Sequence, residues 1–412
     1  MASRLGEIVA RLQKPGEWEH AMLDLYELEP TKRDLPDLYW ALSQTYPDDQ
    51  CADAKTRCTL FIKLGRVHDA TTVDFIEKIW PSLPVHGKTR DCALGAFSEI
   101  NSQDALRSLS RILVREQPKL WMQDDSLFWP IVAGPQNAGV MFPDLLSLLS
   151  NKAYRQGVYK VAAAASRAGA VKAESLKLAH ERVLGDLREA QRLYARTPRE
   201  STEYPGMVQY VAAVLRVMAA FAEDPDLGRL VRVAVQHENA QIAFAAYCAC
   251  KEVGWKTSPD PIDRFAADSS TRLDLFEELQ RRGEEDQFPR AYWTQSSFAE
   301  GDMVRWLMRS ITFARPPQSI KLVETRIVSP MGKKGRIYVY KFKYPWKERG
   351  WIIGLSGPQP LNSSEMVTAG TGTSSAGRSE RDTSIEELLE FLEEEMLRKP
   401  VELKRSEAKS HR

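Results

Sequence analysis

From Ser3 to about Thr312 apolar residues recur at helical spacing, as in Leu60, Ile62 and Leu64 or in Val214, Leu215, Met218 and Phe221. Prolines from Pro15 to Pro259 punctuate this region as helix starts and stops do, and no strand-like alternation competes with it. At residue 313 the period changes. Ile320 to Val328 and Arg336 to Tyr344 are rich in β-branched and aromatic residues, with a Pro-Met-Gly-Lys-Lys-Gly turn between them. Trp351 to Leu355 completes a three-strand meander, and Ser356-Gly357-Pro358 reads as the turn that ends it. Residues 362–383 are Ser/Thr/Gly-rich and read as a flexible linker. Ser384 and Glu387 then form a capping box ahead of Leu388, Leu389, Leu392 and Met396, which predicts an acidic amphipathic helix over 384–398. The expected organisation is a helical domain over 1–312, a small basic sheet over 313–361, the linker, that helix, and a disordered tail over 399–412.

Two stretches align without a gap at an offset of 85 residues, Leu145–Gly169 and Leu230–Gly254. Each holds a short apolar helix, a polar break and an Ala-rich helix closed by a glycine suited to a left-handed cap. A third unit reads Arg90-x-x-Ala93-Leu94-x-Ala96-Phe97-x-x-Ile100, followed by Ala105, Leu106, Leu109, Ile112 and Leu113. Residues 242–254 carry Ile242, Ala245, Ala246, Ala249, Val253 and Gly254 in a similar arrangement. Candidate helix ends at Gly65, Ile100, Gly169, Gly254 and Gly283 are spaced by one or two units of a period of roughly 40 residues. Over residues 50–283 this pattern resembles the HEAT-like helical repeats. The resemblance implies a mainly α fold, a right-handed α-α solenoid whose units bury their apolar stripes only against neighbours. It implies no chemistry.

Composition narrows the class. With 43% hydrophobic and 27% charged residues the chain reads as a soluble globular protein. No apolar run approaches the roughly 20 residues of a bilayer span, and no secretory leader pattern opens the sequence, so a cytoplasmic protein without a membrane partner is expected. The five cysteines are odd in number and include no CxxC, so reduced, buried thiols are expected. Net charge is +1, yet residues 301–350 hold twelve Lys/Arg against three Asp/Glu and residues 151–200 hold eleven against five. Such asymmetry speaks to partners rather than to fold.

Candidate chemistry lies in two places. In the second strand, Tyr338, Tyr340, Phe342 and Tyr344 alternate with Ile337, Val339, Lys341 and Lys343. An aromatic row beside Lys341, Lys343, Arg336, Lys333 and Lys334 is what sheet-type binders of single-stranded nucleic acid use. The competing expectation is that these rings pack under the acidic C-terminal helix, which then neutralises the basic strands. The second place is the stretch 117–141, expected as a long loop between repeats, with Trp121, Asp124, Asp125 and Trp129 as candidate site residues and Trp121, Phe128 and Trp129 as gap-fillers otherwise. Nucleophile elbows, phosphate loops and metal-ligand spacings are absent from the sequence, so neither cofactor nor catalytic motif is expected.

Three functions follow in order. The first is a non-catalytic protein- or peptide-binding scaffold that uses the repeat surface, with the sheet as a second docking module. The second is a nucleic-acid binder using the basic segments 151–200 and 301–350. The third is an enzyme on helical repeats, of lyase or glycosylase type, with Asp124 or Asp125 as acid or base.

Overall fold

The computed structural model describes residues 3–14, 16–46, 52–84, 88–118, 125–257, 261–309, 315–328, 335–344 and 351–361, together with 384, 386, 387 and 390. The fold is mainly α with a small C-terminal antiparallel sheet. Helices α1 (Arg4–Leu12), α2 (Trp18–Glu27), α3 (Leu35–Leu42), α4 (Ala52–Arg66), α5 (Thr71–Ile79), α6 (Lys88–Ile100) and α7 (Gln103–Glu116) come first. Then follow α8 (Asp125–Ala133), α9 (Lys152–Arg167), α10 (Lys177–Arg196), α11 (Tyr204–Val217), α12 (Pro225–Ala234) and α13 (Ala240–Glu252). The last helices are α14 (Ile262–Ala267), α15 (Arg272–Arg282) and α16 (Gln295–Arg309), ahead of strands β1 (Ser319–Val328), β2 (Gly335–Lys343) and β3 (Ile352–Pro360).

The chain forms two compact units. One comprises Met1–Arg192, Tyr210–Val231 and Glu252–Gly254; the other comprises Leu193–Gln209, Arg232–Lys251 and the chain from Trp255 onward.

In the first unit, small residues let helices approach closely. A Cβ built on Gly65 of α4 would lie 3.1 Å from Ala96 Cα and 3.0 Å from Glu99 Cβ of α6. Phe128 of α8 lies so close to Gly157 of α9 that a Cβ there would meet the ring at 2.2 Å. The expected loop over 117–141 is therefore largely helical within its described part: α8 is followed by a 3-10 helix, Pro135–Met141. Phe128 fills the gap assigned to it, at 1% exposure, whereas Trp129 is 56% exposed. Pro130 lies inside α8 as its sixth residue, so its missing N–H leaves one i→i−4 bond of this short helix unmade.

The glycine caps stand where local pattern placed them. Gly169, Gly254 and Gly283 have φ of +68°, +72° and +67°, a region that costs an L side chain about 1 kcal/mol or more and glycine nothing. In the 85-residue alignment the second helices, α9 and α13, both end at matched positions, Arg167 and Glu252, and these two side chains form an ion pair at 3.3 Å. The elements ahead of them differ: Asp144–Ser150 is a 3-10 helix, while α12 is an α-helix.

Three arginines near helix starts repeat one arrangement. Arg90 Nε donates to Leu83 O and its Nη1 to Glu116. Arg155 Nε donates to Leu149 O and its Nη1 to Glu189. Arg272 Nε donates to Ala266 O, with Glu300 at 3.6 Å. Each guanidinium satisfies a carbonyl at or near the end of the preceding helical turn and is neutralised by an acid from a later helix.

In the second unit the sheet is a meander in the order β1-β2-β3, with Phe342 opposite both Ile320 and Ile352. Strand β3 runs on to Pro360, through the Ser356-Gly357-Pro358 that reads as a turn in the sequence. Two features reconcile the two. Gly357 takes φ +125° where a Cβ would meet Arg336 O at 2.6 Å, and the register shifts there. Since β3 is an edge strand, Pro358 can lack its N–H at little cost.

The 18 residues Tyr204–Phe221, at mean hydropathy 1.2, are the one helical stretch among the described residues long and apolar enough to cross a membrane; half of that stretch is buried within the protein.

Candidate functional site

The aromatic row of β2 is core. Tyr338, Tyr340, Phe342 and Tyr344 are 4% exposed or less and pack with Ile352 against Ala299, Met303 and Leu307 of α16. Gly354 admits the close approach: a Cβ there would meet Phe342 at 2.9 Å and Met303 at 3.1 Å. The hydroxyls are anchored as well, Tyr338 to Gln295 Oε1, Tyr340 to Ser296 O and Tyr344 to Arg315 O. The helix that packs on this face among the described residues is α16; of the expected helix over 384–398 only residues 384, 386, 387 and 390 are described. The opposite face, with Ile337, Val339, Ile353 and Leu355, is also buried. Stacking a base on these rings would require unpacking the sheet, which removes Tyr338, Tyr340 and Phe342 as contact residues.

The basic residues are largely engaged too. Arg305 pairs with Asp274 and Glu277, and Arg315 donates to the carbonyls of Arg199 and Ser201. Arg326 pairs with Glu324 and, at 2.9 Å, with Glu386. Arg336 donates to Gln295, Lys321 sits over the Trp351 ring, and Lys341 is half-buried with a partner. Lys343 is exposed. The same holds for 151–200, where Lys152 and Arg155 share Glu189 and Arg167 and Arg199 pair with Glu252 and Glu238. Lys333, Lys334, Trp121 and Asp124, and the side chain of Asp125, lie outside the described residues. Of the C-terminal helix, the capping box is in place: Glu387 N donates to Ser384 Oγ at 3.1 Å and Ser384 N to Glu387 at 2.8 Å.

A polar concavity lies elsewhere, in the second unit. A cleft of about 220 Å³ is lined by Tyr194, Arg199, Tyr204, Glu238, Asn239 and Gln241, with Asp268, Ser270 and Pro316 completing its wall. The Tyr194 and Tyr204 rings lie 5.4 Å apart at a tilt of 37°, with their hydroxyls 3.0 Å apart. Burial, and then the hydrogen bond to Tyr204, push the Tyr194 phenol well above its ordinary range, so it stays protonated at neutral pH. Asn239 is the N-cap of α13: its Oδ1 accepts from the backbone N–H of Gln241 and Ile242, and its Nδ2 donates to the Tyr204 hydroxyl. Its own N–H donates to His237 Nδ1. Burial lowers the His237 pKa, keeping that ring neutral and able to accept. Arg199 and Glu238 pair at 2.6 Å across the rim. Asp268 Oδ1 accepts from Ser270 N and Oγ, at 2.8 and 2.6 Å.

The His237 nitrogen with a known partner is taken by a backbone N–H, and the Ser270 hydroxyl closes a local turn on Asp268, so neither forms a nucleophile–base pair. With Arg199 matched by Glu238, Asp268 is left as the excess charge of the cleft, and among the described residues it has no ion pair. The volume lies below the roughly 300–1,000 Å³ of small-molecule pockets and suits a single inserted side chain. Sequence reasoning took Gln236-His237-Glu238 only as a polar break. The cleft's residues come from four separated stretches, and the only local signal was Asn239 ahead of an Ala-rich helix. No protein-family model matches the chain, and neither a curated protein nor a solved structure is similar to it.

Proposed function

We propose that the chain is a non-catalytic binding protein built on HEAT-like helical repeats, whose cleft takes a basic side chain from a protein or peptide partner. The observation that carries this is the excess carboxylate of Asp268 in a side-chain-sized cleft beside two tyrosine rings. A carboxylate with aromatic faces nearby recognises an ammonium or guanidinium by charge-assisted hydrogen bonds and cation–π attraction. Preordered walls lower the entropy lost on binding. The repeat reading is supported by the 85-residue alignment, the matched glycine caps and the arginine arrangement that recurs at Arg90, Arg155 and Arg272.

The test is an array of short acetylated peptides with basic, neutral and acidic side chains, probed with the whole chain. Binders enriched in Lys or Arg are expected. Asp268→Asn keeps the acceptor that Ser270 uses and should abolish that enrichment without moving the thermal midpoint. No enrichment, or enrichment indifferent to Asp268→Asn, refutes the proposal.

A further inference from the structure

Strand β1 ends the meander and is bonded to β2 on one side only. Among the described residues no strand lies on its other side. At 10 residues β1 is longer than the roughly five or six of an ordinary strand, so this side presents a long row of backbone N–H and C=O groups.

The two edges of the sheet differ in how they are protected. The other edge strand, β3, is buried along nearly its whole length, carries Pro358 and Pro360, and shifts register between Ser356 and Gln359. Prolines and irregular register block the addition of a further strand. Strand β1 has no proline and exposes three aliphatic side chains, Leu322 at 44%, Val323 at 41% and Ile327 at 62%. Its bulge lies between Leu322 and Glu324, which leaves residues 324–328 in regular register with 339–335 of β2.

We propose that the outer edge of β1 pairs antiparallel with the same edge of a second copy of the chain, joining two three-stranded sheets into one of six strands. The order of side chains makes the edge self-complementary. Residues 323–327 read Val-Glu-Thr-Arg-Ile. Run antiparallel against itself about Thr325, this segment sets Glu324 of each copy opposite Arg326 of the other, and Val323 opposite Ile327. One two-fold axis therefore yields two ion pairs and two aliphatic pairs, the isologous form of closed dimers. Neighbouring registers lose the match. Those centred on Glu324 or Arg326 set like charges face to face, and one centred on Val323 sets each Glu324 against Leu322.

The charged groups stand ready for this exchange. Glu324 and Arg326 lie opposite Val339 and Ile337, so they share the face of the sheet away from the aromatic row. Within one chain they form an ion pair roughly one-third exposed, yet Glu324 Oε1 accepts no hydrogen bond among the described residues. A guanidinium across the edge supplies that bond. Arg326 meets Glu386 through Nη2, a nitrogen distinct from the Nε that faces Glu324.

The experiment is sedimentation equilibrium of the whole chain over a range of micromolar concentrations. The parent should show a dimer at twice the 46.7 kDa of one chain. Glu324→Arg alone and Arg326→Glu alone should each raise the dimer dissociation constant at least tenfold, with the thermal midpoint of the monomer unmoved. The double variant Glu324→Arg with Arg326→Glu restores opposite charges across the edge and should restore the dimer. Thr325→Cys reports the register directly: a short bismaleimide should join two copies through tryptic peptide 322–326, a product the parent cannot give. The proposal is overturned if the parent is monomeric throughout, if the single variants dimerise as well as the parent, if the double variant does not recover, or if Thr325→Cys gives no such cross-link.

Discussion

Gly157 and Gly185 both occupy helix interiors, α9 and α10, where glycine is about 1 kcal/mol worse than alanine. From helix propensity alone, each Gly→Ala change should stabilise. The surroundings reverse the sign at one of them. At Gly185 a Cβ meets nothing within 4 Å, so Gly185→Ala should gain about 0.5–1 kcal/mol. At Gly157 the added Cβ falls 2.2 Å from Phe128 Cδ2 and 2.4 Å from Cε2, well inside van der Waals contact. Phe128 is 1% exposed, so relieving the overlap requires α8 to shift or the ring to leave its buried site. Overpacking of this kind costs about 1–3 kcal/mol, and the depth of the overlap argues for the upper end. Subtracting the propensity gain of about 1 kcal/mol leaves a net loss of about 2 kcal/mol. At roughly 2–4 °C per kcal/mol for a unit of 150–250 residues, the thermal midpoint should fall by about 4–8 °C. Gly185→Ala should raise it by about 1–4 °C. Urea denaturation and calorimetry read both changes. A double-mutant cycle with Phe128→Leu should give a coupling above the roughly 0.5 kcal/mol expected of independent sites, because the smaller side chain accepts the new methyl. If Gly157→Ala is as stable as the parent, or if Phe128→Leu does not couple to it, the packing argument fails.

Three further predictions follow from buried and paired charges. Lys63 is 2% exposed and donates to the carbonyls of Tyr26 and Leu28 at the end of α2, so Lys63→Met should cost about 1–3 kcal/mol for each acceptor left dry, read by urea unfolding; an unchanged midpoint would contradict this. Hydrogen bonds from Lys152 and then Arg155 hold the Glu189 carboxyl below its ordinary value of 4.5. A depressed folded pKa gives stability that is present above the unfolded value and lost as pH falls through the folded one, so the stability difference between parent and Glu189→Gln should be constant above about pH 5 and shrink below about 4.5. Since the aromatic row is core and most described cations near it are engaged, labelled single- or double-stranded oligonucleotides should show no micromolar binding at low salt, and Lys341→Glu with Lys343→Glu should change nothing; tight, salt-sensitive binding lost in that variant would restore the nucleic-acid reading.

Local spacing carries a great deal in this chain. Helical period up to about Thr312, period two beyond it, glycines at 169, 254 and 283, and Ser384 with Glu387 each depend on residues within a few positions of one another. For that reason the mainly α class, the meander and its three strands, the left-handed caps and the capping box were all readable from sequence. The rest depended on which distant segment covers which face. Alternation showed that Tyr338, Tyr340 and Phe342 share a side, but only packing placed α16 over them and turned a candidate stacking surface into core. The reading of Ser356-Gly357-Pro358 as a turn failed because an edge strand with a register shift tolerates both a positive φ and a missing N–H. Excess positive charge in 301–350 was visible in the sequence, whereas the acids that neutralise it lie up to 60 residues away, as Arg326 and Glu386 do. The Tyr194–Tyr204–Asn239–Asp268 cleft has no local signature beyond Asn239 ahead of an Ala-rich helix. Its members meet because close-packed helices bring side chains from separated stretches of the chain to one place, and the physics of that meeting is decided by volume and burial rather than by spacing along the chain.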